Sequence, residues 1–283
     1  MLGKLMKYDM KSMFRTFVPM WLLAPVISLM LGLSVRSMIA WEKNSGSALE
    51  ISGYGIGLIM IVMLLLFTGV MIGLTVMTIL FVIQRFWNGL LKEEGYLMFT
   101  LPVKTWELIT SKGLTATIIA CISVVVGILS CMILTVAFTD EVFLELMRWW
   151  SYMKKDIAGI GPVFWLQVIL SVLLVIAGMV KSIYHVYAAM SLGQLFEGHR
   201  VVGSCVSYLG ISMVFSVIMV VLSVIMNLVL PNDWLYDYYH YINSSAVTFS
   251  VTYMLFLLLV TAVQIAVFHI ITERILSTRL NLE

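Results

Sequence analysis

The residues that could perform chemistry are few in this sequence, and they lie far apart. The histidines are spread over different segments, without the HExxH spacing of a zinc protease and without a GxSxG turn for a nucleophilic serine. Acidic residues lie almost entirely outside the apolar stretches, where an intramembrane hydrolase or a Mg²⁺-dependent phosphotransferase would need them. We therefore predict no catalytic residue, no metal site and no enzyme activity for this chain. The four histidines are His185, His199, His240 and His269.

A nucleotide site is not predicted either. A P-loop requires G-x-x-x-x-G-K-[ST], in which backbone amides and the lysine hold the phosphates, and this pattern does not occur in the sequence. Cys121, Cys131 and Cys205 fall in apolar stretches without a CxxC pair, which favours packing over a disulfide or a thiolate site. The chain should carry no cofactor. If ATP drives its activity, ATP and Mg²⁺ belong on a separate ATPase.

Polar side chains inside the apolar stretches are the remaining candidates for a substrate path. They are Gln167, Asn227 and Gln264, together with Lys181 and His185, which share one helix face at i, i+4 spacing. Such amides also serve as hydrogen bonds between helices, and this reading remains open. Lys181 is predicted to reach the membrane surface from the end of the fourth span.

The composition predicts which secondary-structure elements carry these polar side chains. Hydrophobic residues make up 61% of the 283 residues and charged residues 11%, with a mean hydropathy of +1.04, which excludes a soluble globular fold. Six intervals between charges are long enough to cross a bilayer as a helix, which takes about 20 residues. We predict an all-α, polytopic membrane protein with a single transmembrane domain over residues 1–283. The predicted spans are 17–35, 54–83, 113–138, 162–182, 201–230 and 247–272.

The distribution of cations predicts the orientation. Six spans place both termini on one side, and only five of the 17 lysines and arginines fall on the other. By the positive-inside rule the termini are cytoplasmic, in the cell (plasma) membrane. The net charge of +2 is small and scattered, so nucleic acid is not an expected partner. The five cations of the opposite side are Arg36, Lys43, Arg148, Lys154 and Lys155.

Residues 1–16 are predicted to form an amphipathic helix on the membrane surface. At 100° per residue, four cations fall within an arc of about 80°, with leucine, methionine and phenylalanine opposite. A helix of this kind lies in the headgroup plane with its cations toward anionic lipid. The alternative is a basic flank that only sets topology. The cations are Lys4, Lys7, Lys11 and Arg15.

The predicted cytoplasmic loop at residues 84–112 is too apolar for a loop that faces water. Gly95 can end a first helix and Pro102 precedes a second, with an almost continuous apolar stretch between them that is too short to span a membrane. This stretch must be covered by lipid, by the protein's own helices or by a groove on a partner. Acids at Glu93 and Glu94 favour the protein groove over anionic lipid, while a re-entrant cap on the bundle remains the alternative.

The segment EEGYLMFTLPV, with RFWNGLL before it and WELITSK after it, closely resembles the loop between spans two and three of permease subunits of ABC type-2 exporters from Gram-positive bacteria. KYDMKSMFR and SLGQLFEGHR are similar to that family's entry helix and second cytoplasmic connection. The resemblance implies a type V exporter fold with six spans, an N-terminal elbow helix at 1–16 and an extracellular element at 231–246. It also implies a coupling segment at 84–112, in which contact with the ATPase is made by Glu93, Glu94, Gly95, Tyr96, Leu97, Met98 and Phe99.

The same resemblance implies ABC ATPase subunits and a second permease subunit, identical or different, as partners in the lipid membrane. Gly69 and Gly73 form a GxxxG motif that allows close helix approach, with packing inside the chain as the first interpretation and a dimer contact as the other. The sequence thus predicts an exporter of amphipathic or hydrophobic substrates such as lipids, peptides or antimicrobials. The alternative is a non-ABC secondary transporter, a channel or a membrane scaffold.

Overall fold

The described residues of the chain are helical throughout, apart from short connections. The structure is a computed structural model that describes residues 2–45, 50–91, 104–138, 144–145, 147–148, 150–152, 162–196, 198–229 and 234–278. No strand occurs within these ranges. The six long helices are α1 (Leu2–Ser45), α2 (Glu50–Phe86), α3 (Thr105–Phe138), α4 (Pro162–Gly193), α5 (Arg200–Val229) and α6 (Trp234–Thr278), and a π-helical turn (Trp87–Leu91) continues α2.

All six helices are long and apolar enough to cross a membrane. The prediction of an all-α, multi-pass membrane protein is confirmed to this extent: among the described residues, six helices are long and apolar enough to cross a membrane. α5 is an extreme case, because nearly all of its described apolar side chains are exposed, as expected where lipid rather than protein covers a helix. The candidate spans are Met6–Ser37, Ile61–Leu91, Thr105–Val136, Trp165–Gly193, Arg200–Leu222 and Tyr253–Thr278.

Several observed helices extend beyond the predicted spans, and the largest differences from the cytoplasmic and extracellular predictions occur in α4 and α6. The fourth span was expected to end at residue 182, but α4 continues to Gly193. The last helix begins at Trp234, so the expected extracellular element at 231–246 lies, from Trp234 onward, in the same helix as the sixth span. In both places a polar or charged residue marks the end of a hydropathy window without ending the helix.

α1 joins the predicted elbow and the first span in one continuous helix of 44 residues. From Leu2 onward, residues 1–16 belong to this helix, and no break separates them from the apolar part. Pro19 and Pro25 lie inside α1, where each removes a backbone donor. Ser28 Oγ, one turn after Ala24, donates a hydrogen bond to the Ala24 carbonyl at 2.8 Å.

The contacts of the chain fall into two compact units. The first unit contains Lys4–Phe81 and Ile118–Gly159, and the second contains Met1–Gly3, Val82–Thr117 and Ile160–Glu283. α2 and α3 each contribute residues to both.

The first unit has a core in which aromatic side chains of α1 meet α2 and α3. Phe17 packs edge-on against Phe81 with ring centroids 5.1 Å apart, and Trp21 is also buried. The indole Nε1 of Trp21 donates a hydrogen bond to Ser123 Oγ at 3.0 Å, which satisfies its one polar group inside an apolar cluster. The buried residues of this cluster are Met13, Phe17, Trp21, Ala24, Leu74 and Ile119.

In the second unit, α4 packs against both α5 and α6. The connection between α4 and α5 is short, and its Gly198 has a φ of +84°, a conformation that side chains other than glycine rarely adopt. At the end of α4 the two helices approach so closely that a Cβ added to Gly193 would lie 2.0 Å from Ser204 Oγ and 2.6 Å from the Ser204 backbone nitrogen. Glycine at 193 is therefore required by close packing.

Gly69 and Gly73 do not mark such an approach. A Cβ added to either would meet no atom of the described residues within 4 Å. The first interpretation of this GxxxG motif, close packing within the chain, does not match the structure. The closest helix approach involving a glycine of α4 occurs instead at Gly193, outside any GxxxG pattern.

Candidate functional site

A cavity of about 520 Å³ lies between α4, α5 and α6 of the second unit. Its volume falls in the range of small-molecule sites, about 300–1,000 Å³. The wall combines one cation, one imidazole and several neutral polar groups with a larger apolar surface. The lining residues are Lys181, His185, Ile211, Ser212, Phe215, Ser216, Met219, Val220, Leu257, Val260, Thr261, Gln264 and Phe268.

Lys181 and His185 stand one turn apart on α4, as their spacing predicted, and both line the cavity. Lys181 was expected at the end of the fourth span, with its ammonium at the membrane surface. The helix continues for twelve residues beyond Lys181 to Gly193, about 18 Å along the axis, so Lys181 does not end α4. The amine therefore belongs to the interior of a long helix and to a cavity wall. Its place at the membrane surface stays a prediction.

The imidazole of His185 is held between two aromatic rings. It stacks on Tyr208 of α5, with ring centroids 4.3 Å apart, and on Phe268 of α6 at 5.0 Å. Phe268 is itself braced edge-on by Phe215 at 4.9 Å. His185 Nε2 is buried and has no hydrogen-bond partner among the described residues, an arrangement that is costly unless a ligand or water supplies one.

Neutral polar groups complete the cavity. Ser212 and Ser216 are one turn apart on α5, and Thr261 and Gln264 are at i, i+3 spacing on α6. The Thr261 hydroxyl donates to the Leu257 carbonyl at 2.7 Å, which leaves its oxygen able to accept a hydrogen bond. Among the described lining residues there is no aspartate or glutamate, so the formal charge of the described wall is positive.

The three predicted path residues separate in the structure. Gln264 lies on the cavity wall. Gln167 is half-buried on α4 outside the cavity lining and makes contacts of its own. Asn227 belongs to α5, but its side chain lies outside the described residues. The structure therefore brings Gln264 together with the Lys181 and His185 pair.

The residues predicted to contact an ATPase, Glu93 to Phe99, lie outside the described residues. Their described flanks are informative. On the upstream side Leu90 and Leu91 of the π-helical turn are buried, and on the downstream side Leu108 and Ile109 of α3 are buried. The predicted coupling segment is thus attached at both ends to a well-packed part of the second unit.

This packed part, which we call the junction, consists of the π-helical turn, the first turns of α3 and the last turns of α4. Phe86 stacks on Tyr187 with ring centroids 4.0 Å apart, and the Tyr187 hydroxyl donates to the Lys112 carbonyl at 3.4 Å. Lys112 is only 3% exposed, and a Cβ added to Gly89 would lie 2.5 Å from its Nζ. The absence of a side chain at Gly89 leaves room for this buried lysine.

The predicted basic face of the N-terminal helix is exposed where it is described, at Lys7, Lys11 and Arg15. The side chain of Lys4 lies outside the described residues. Opposite the basic face, Met13 and Phe17 are buried. This two-sided arrangement agrees with the amphipathic pattern; whether the helix lies on a membrane surface stays a prediction.

Sequence reasoning overlooked three buried polar residues. Asp9 is 7% exposed and falls on the apolar side of the N-terminal helix, where its position on the helical wheel could have revealed it. Lys112 was counted as a loop cation because it ends an apolar interval, and Tyr187 was indistinguishable from other aromatics of a span. Each has interactions within the protein.

The described residues contain no group of three histidines, cysteines or carboxylates that could hold a metal ion. The three cysteines are free thiols within helices. No protein-family model, no curated protein and no solved structure matches the chain.

Proposed function

We propose that this chain is the permease subunit of an ATP-driven ABC exporter that moves an amphipathic or hydrophobic substrate out across the plasma membrane. It works with separate ATPase subunits, which bind ATP and Mg²⁺, and with a second permease subunit. Both termini are cytoplasmic, and the fold is of the type V exporter class, with residues 1–16 as the elbow helix. The specific motif EEGYLMFTLPV supports this assignment through its resemblance to that family.

The observation that carries the proposal is the position of α4 between cavity and junction. Lys181 and His185 line the cavity on one face of α4, while Tyr187, within two turns, stacks on Phe86 of the junction. A displacement of the junction therefore moves a helix that forms the cavity wall. This connection between a partner-facing segment and a ligand-sized cavity is what a pump with an external motor requires.

The buried residues on both sides of the predicted coupling segment also support the proposal. Because Leu90 and Ile109 are fully buried, force applied between them acts on packed helices rather than on a loop that can absorb it. Protein interiors are close-packed and transmit strain. The second unit thus has the properties needed to carry motion from an ATPase to α4.

The test of the proposal is capture of an ABC ATPase. The tagged chain is co-expressed with the product of the adjacent reading frame, which the proposal expects to be an ABC ATPase, and both pull-down and ATP hydrolysis are measured. Changing Leu97→Ala and Phe99→Ala together removes two anchors worth about 2 kcal/mol each, so affinity should fall by more than about a hundredfold. The melting temperature of the permease alone should not change.

The matched control is Leu195→Ala with Phe196→Ala, the same two residue types, both exposed in the connection between α4 and α5. This pair should leave capture unchanged. If no ATPase is captured by the unchanged chain, the exporter assignment fails. If the Leu97 and Phe99 variant melts lower by itself but still binds the ATPase, the segment is a cap on its own bundle.

The orientation is tested by labelling single cysteines in a cysteine-free background with an impermeant thiol reagent. Ser151→Cys and Lys104→Cys are suited to this, because both positions are exposed, whereas Ser111 is buried and would not react from either side. Position 151 should react in intact cells, and position 104 only after permeabilisation. The reverse pattern would place the coupling segment outside the cell and contradict the proposal.

A secondary transporter is the alternative, and one observation favours it. Lys181 and His185 place two titratable groups on a cavity wall inside helical spans, where such groups mark ion and substrate paths. This alternative predicts substrate uptake by proteoliposomes that contain the chain alone, driven by an ion gradient. The exporter predicts transport only when the ATPase and ATP are present.

A further inference from the structure

We infer that the cavity between α4, α5 and α6 binds an amphipathic anion, a molecule with a phosphate or carboxylate headgroup and an apolar tail, with the headgroup at Lys181 and His185. As a statement about the transported substrate this rests on the proposed function. As a statement about binding it rests on the cavity alone.

The charge of the wall selects an anion. Lys181 is half-buried in the interior of α4, and its ammonium group gives the described wall of the cavity a formal positive charge. None of the described residues that line the cavity is acidic. A negatively charged headgroup would therefore complement the lysine directly, and a cationic one would be repelled.

The imidazole next to Lys181 supplies a fixed second contact. His185 is clamped between Tyr208 and Phe268, so its ring cannot turn to find another partner. Its buried Nε2 lacks a hydrogen bond from any described residue. A headgroup at Lys181 would provide this bond: Nε2 donates to a phosphate or carboxylate oxygen when it carries a proton, and accepts from a phosphate hydroxyl when it does not.

The two facing helices show which end of the cavity takes the tail. Along α5 the lining residues in order from Arg200 are Ile211, Ser212, Phe215, Ser216, Met219 and Val220, so both serines precede the final apolar pair. Along α6, from the Thr278 end, they are Phe268, Gln264, Thr261, Val260 and Leu257, so both polar residues again precede an apolar pair. Successive membrane-crossing helices run in opposite directions. Both helices therefore place their polar lining residues at the end with Lys181 and His185, together with the phenylalanines that brace the imidazole, and only apolar residues at the far end.

This arrangement of polar and apolar lining residues excludes two simpler kinds of ligand. A small hydrophilic ion would leave the apolar end of the cavity without a complement, and a neutral hydrocarbon would leave the lysine without a counter-charge. Only a ligand with both parts matches the wall along its length. The class includes single-chain phospholipids, fatty acids and anionic lipopeptides.

Binding is measured on the purified full-length chain in a non-ionic detergent, without any ATPase, by native mass spectrometry. The probes are dodecyl phosphate, dodecylphosphocholine, dodecanol and inorganic phosphate. Dodecyl phosphate should bind as one copy per chain, at least about tenfold more tightly than each other probe, because only it supplies both a net charge and a tail.

Lys181→Met removes the charge and keeps an apolar side chain of similar length. It should weaken dodecyl phosphate binding by at least about tenfold and leave the weak binding of dodecanol unchanged. Lys181→Arg keeps the charge and should retain binding within about threefold, which controls for folding. His185→Phe keeps the ring stack but removes Nε2, and should weaken binding by roughly fivefold. Arg148→Met, an exposed cation outside the second unit, is the charge-matched control and should have no effect.

Equal binding of dodecyl phosphate to the Lys181→Met variant and the unchanged chain would overturn the inference. Equal binding of dodecanol and dodecyl phosphate would reduce the cavity to an apolar groove, and equal binding of inorganic phosphate would make it a site for the free ion. Both results overturn the inference. Failure to capture an ATPase leaves the binding result standing, and failure of binding leaves the ATPase result standing, so the two proposals are separable.

Discussion

The two halves of α4 differ sharply in what covers them. From Ile183 to Gly193 most side chains are buried, and Tyr187, Ala188 and Ser191 have no exposed surface. From Trp165 to Val180 most are exposed, with Leu170 as the buried exception among the described side chains. One end of the helix therefore carries the tertiary structure of the second unit, and the other end is left for lipid or a second subunit to cover.

The sequence of each half explains this difference. The packed half contains small residues, including Ala188, Ala189 and Gly193, which allow neighbouring backbones to approach, together with two tyrosines that fill space. The exposed half is mostly valine, leucine and isoleucine, although it also contains Ala177 and Gly178. Association in a membrane depends on close packing, since lipid competes equally for apolar surface. Close contacts therefore need small residues that face a neighbouring helix, as Gly193 faces Ser204, whereas Gly178 has open space around it.

We expect the largest change in stability when an aromatic ring is removed from the packed half of α4. Tyr187→Ala should lower the free energy of unfolding by about 3–5 kcal/mol, the range for a buried aromatic, because removal of the ring leaves a cavity beside Phe86. Val175→Ala, at an exposed position of the other half, should change it by less than about 0.5 kcal/mol. Unfolding by sodium dodecyl sulfate in mixed micelles measures both. Similar losses for the two variants would show that the halves do not differ.

Two glycines of α4 give a smaller and more specific test. Gly193→Ala should destabilise by about 1–3 kcal/mol, because the new methyl group would collide with the backbone of Ser204. Gly178→Ala has open space around it and should be neutral or stabilising, by up to about 1 kcal/mol, through helix propensity. The same unfolding assay gives the signs. A destabilising Gly178→Ala beside a neutral Gly193→Ala would contradict the assigned packing.

The smallest effect concerns the Tyr187 hydroxyl. Tyr187→Phe keeps the ring and removes one hydrogen bond to the Lys112 carbonyl, which at 3.4 Å is long. The cost should be about 0.5 kcal/mol, near the lower limit for a hydrogen bond. A loss as large as that of Tyr187→Ala would mean that the polar contact, rather than the stacked ring, holds the junction together.

The number and class of the helices could be predicted because composition alone decides them. Twenty or more apolar residues without charge have few other stable arrangements in a membrane, so six such intervals give six helices. The i, i+4 spacing of Lys181 and His185 also predicted their common face correctly, and Gln264 lies on the same cavity wall. These features could be predicted because they depend only on residues that are close together in the sequence.

Positions that depend on a partner helix could not be predicted. Hydropathy treats a charge as a boundary, so Lys181 was taken as the end of a span, although the helix continues through it to Gly193. The glycine motif at Gly69 and Gly73 suggested close packing, yet the tight approach occurs at Gly193 because Ser204 faces it across a short turn. Which side chain faces which is set by helix rotation and crossing, and neither is encoded in the pattern of a single span.

The π-helical turn at Trp87–Leu91 has a consequence for how this protein can vary. A π-helical turn holds one residue more than an α-helical turn, so it is a point where the chain has absorbed an extra residue without losing helical hydrogen bonding. Removing a single codon here would restore an ordinary α-helix and rotate the point at which the chain leaves α2 by about 100°. A deletion that the backbone tolerates would thereby redirect everything that follows Leu91, and in-frame insertions and deletions should be rarer at these five positions than substitutions.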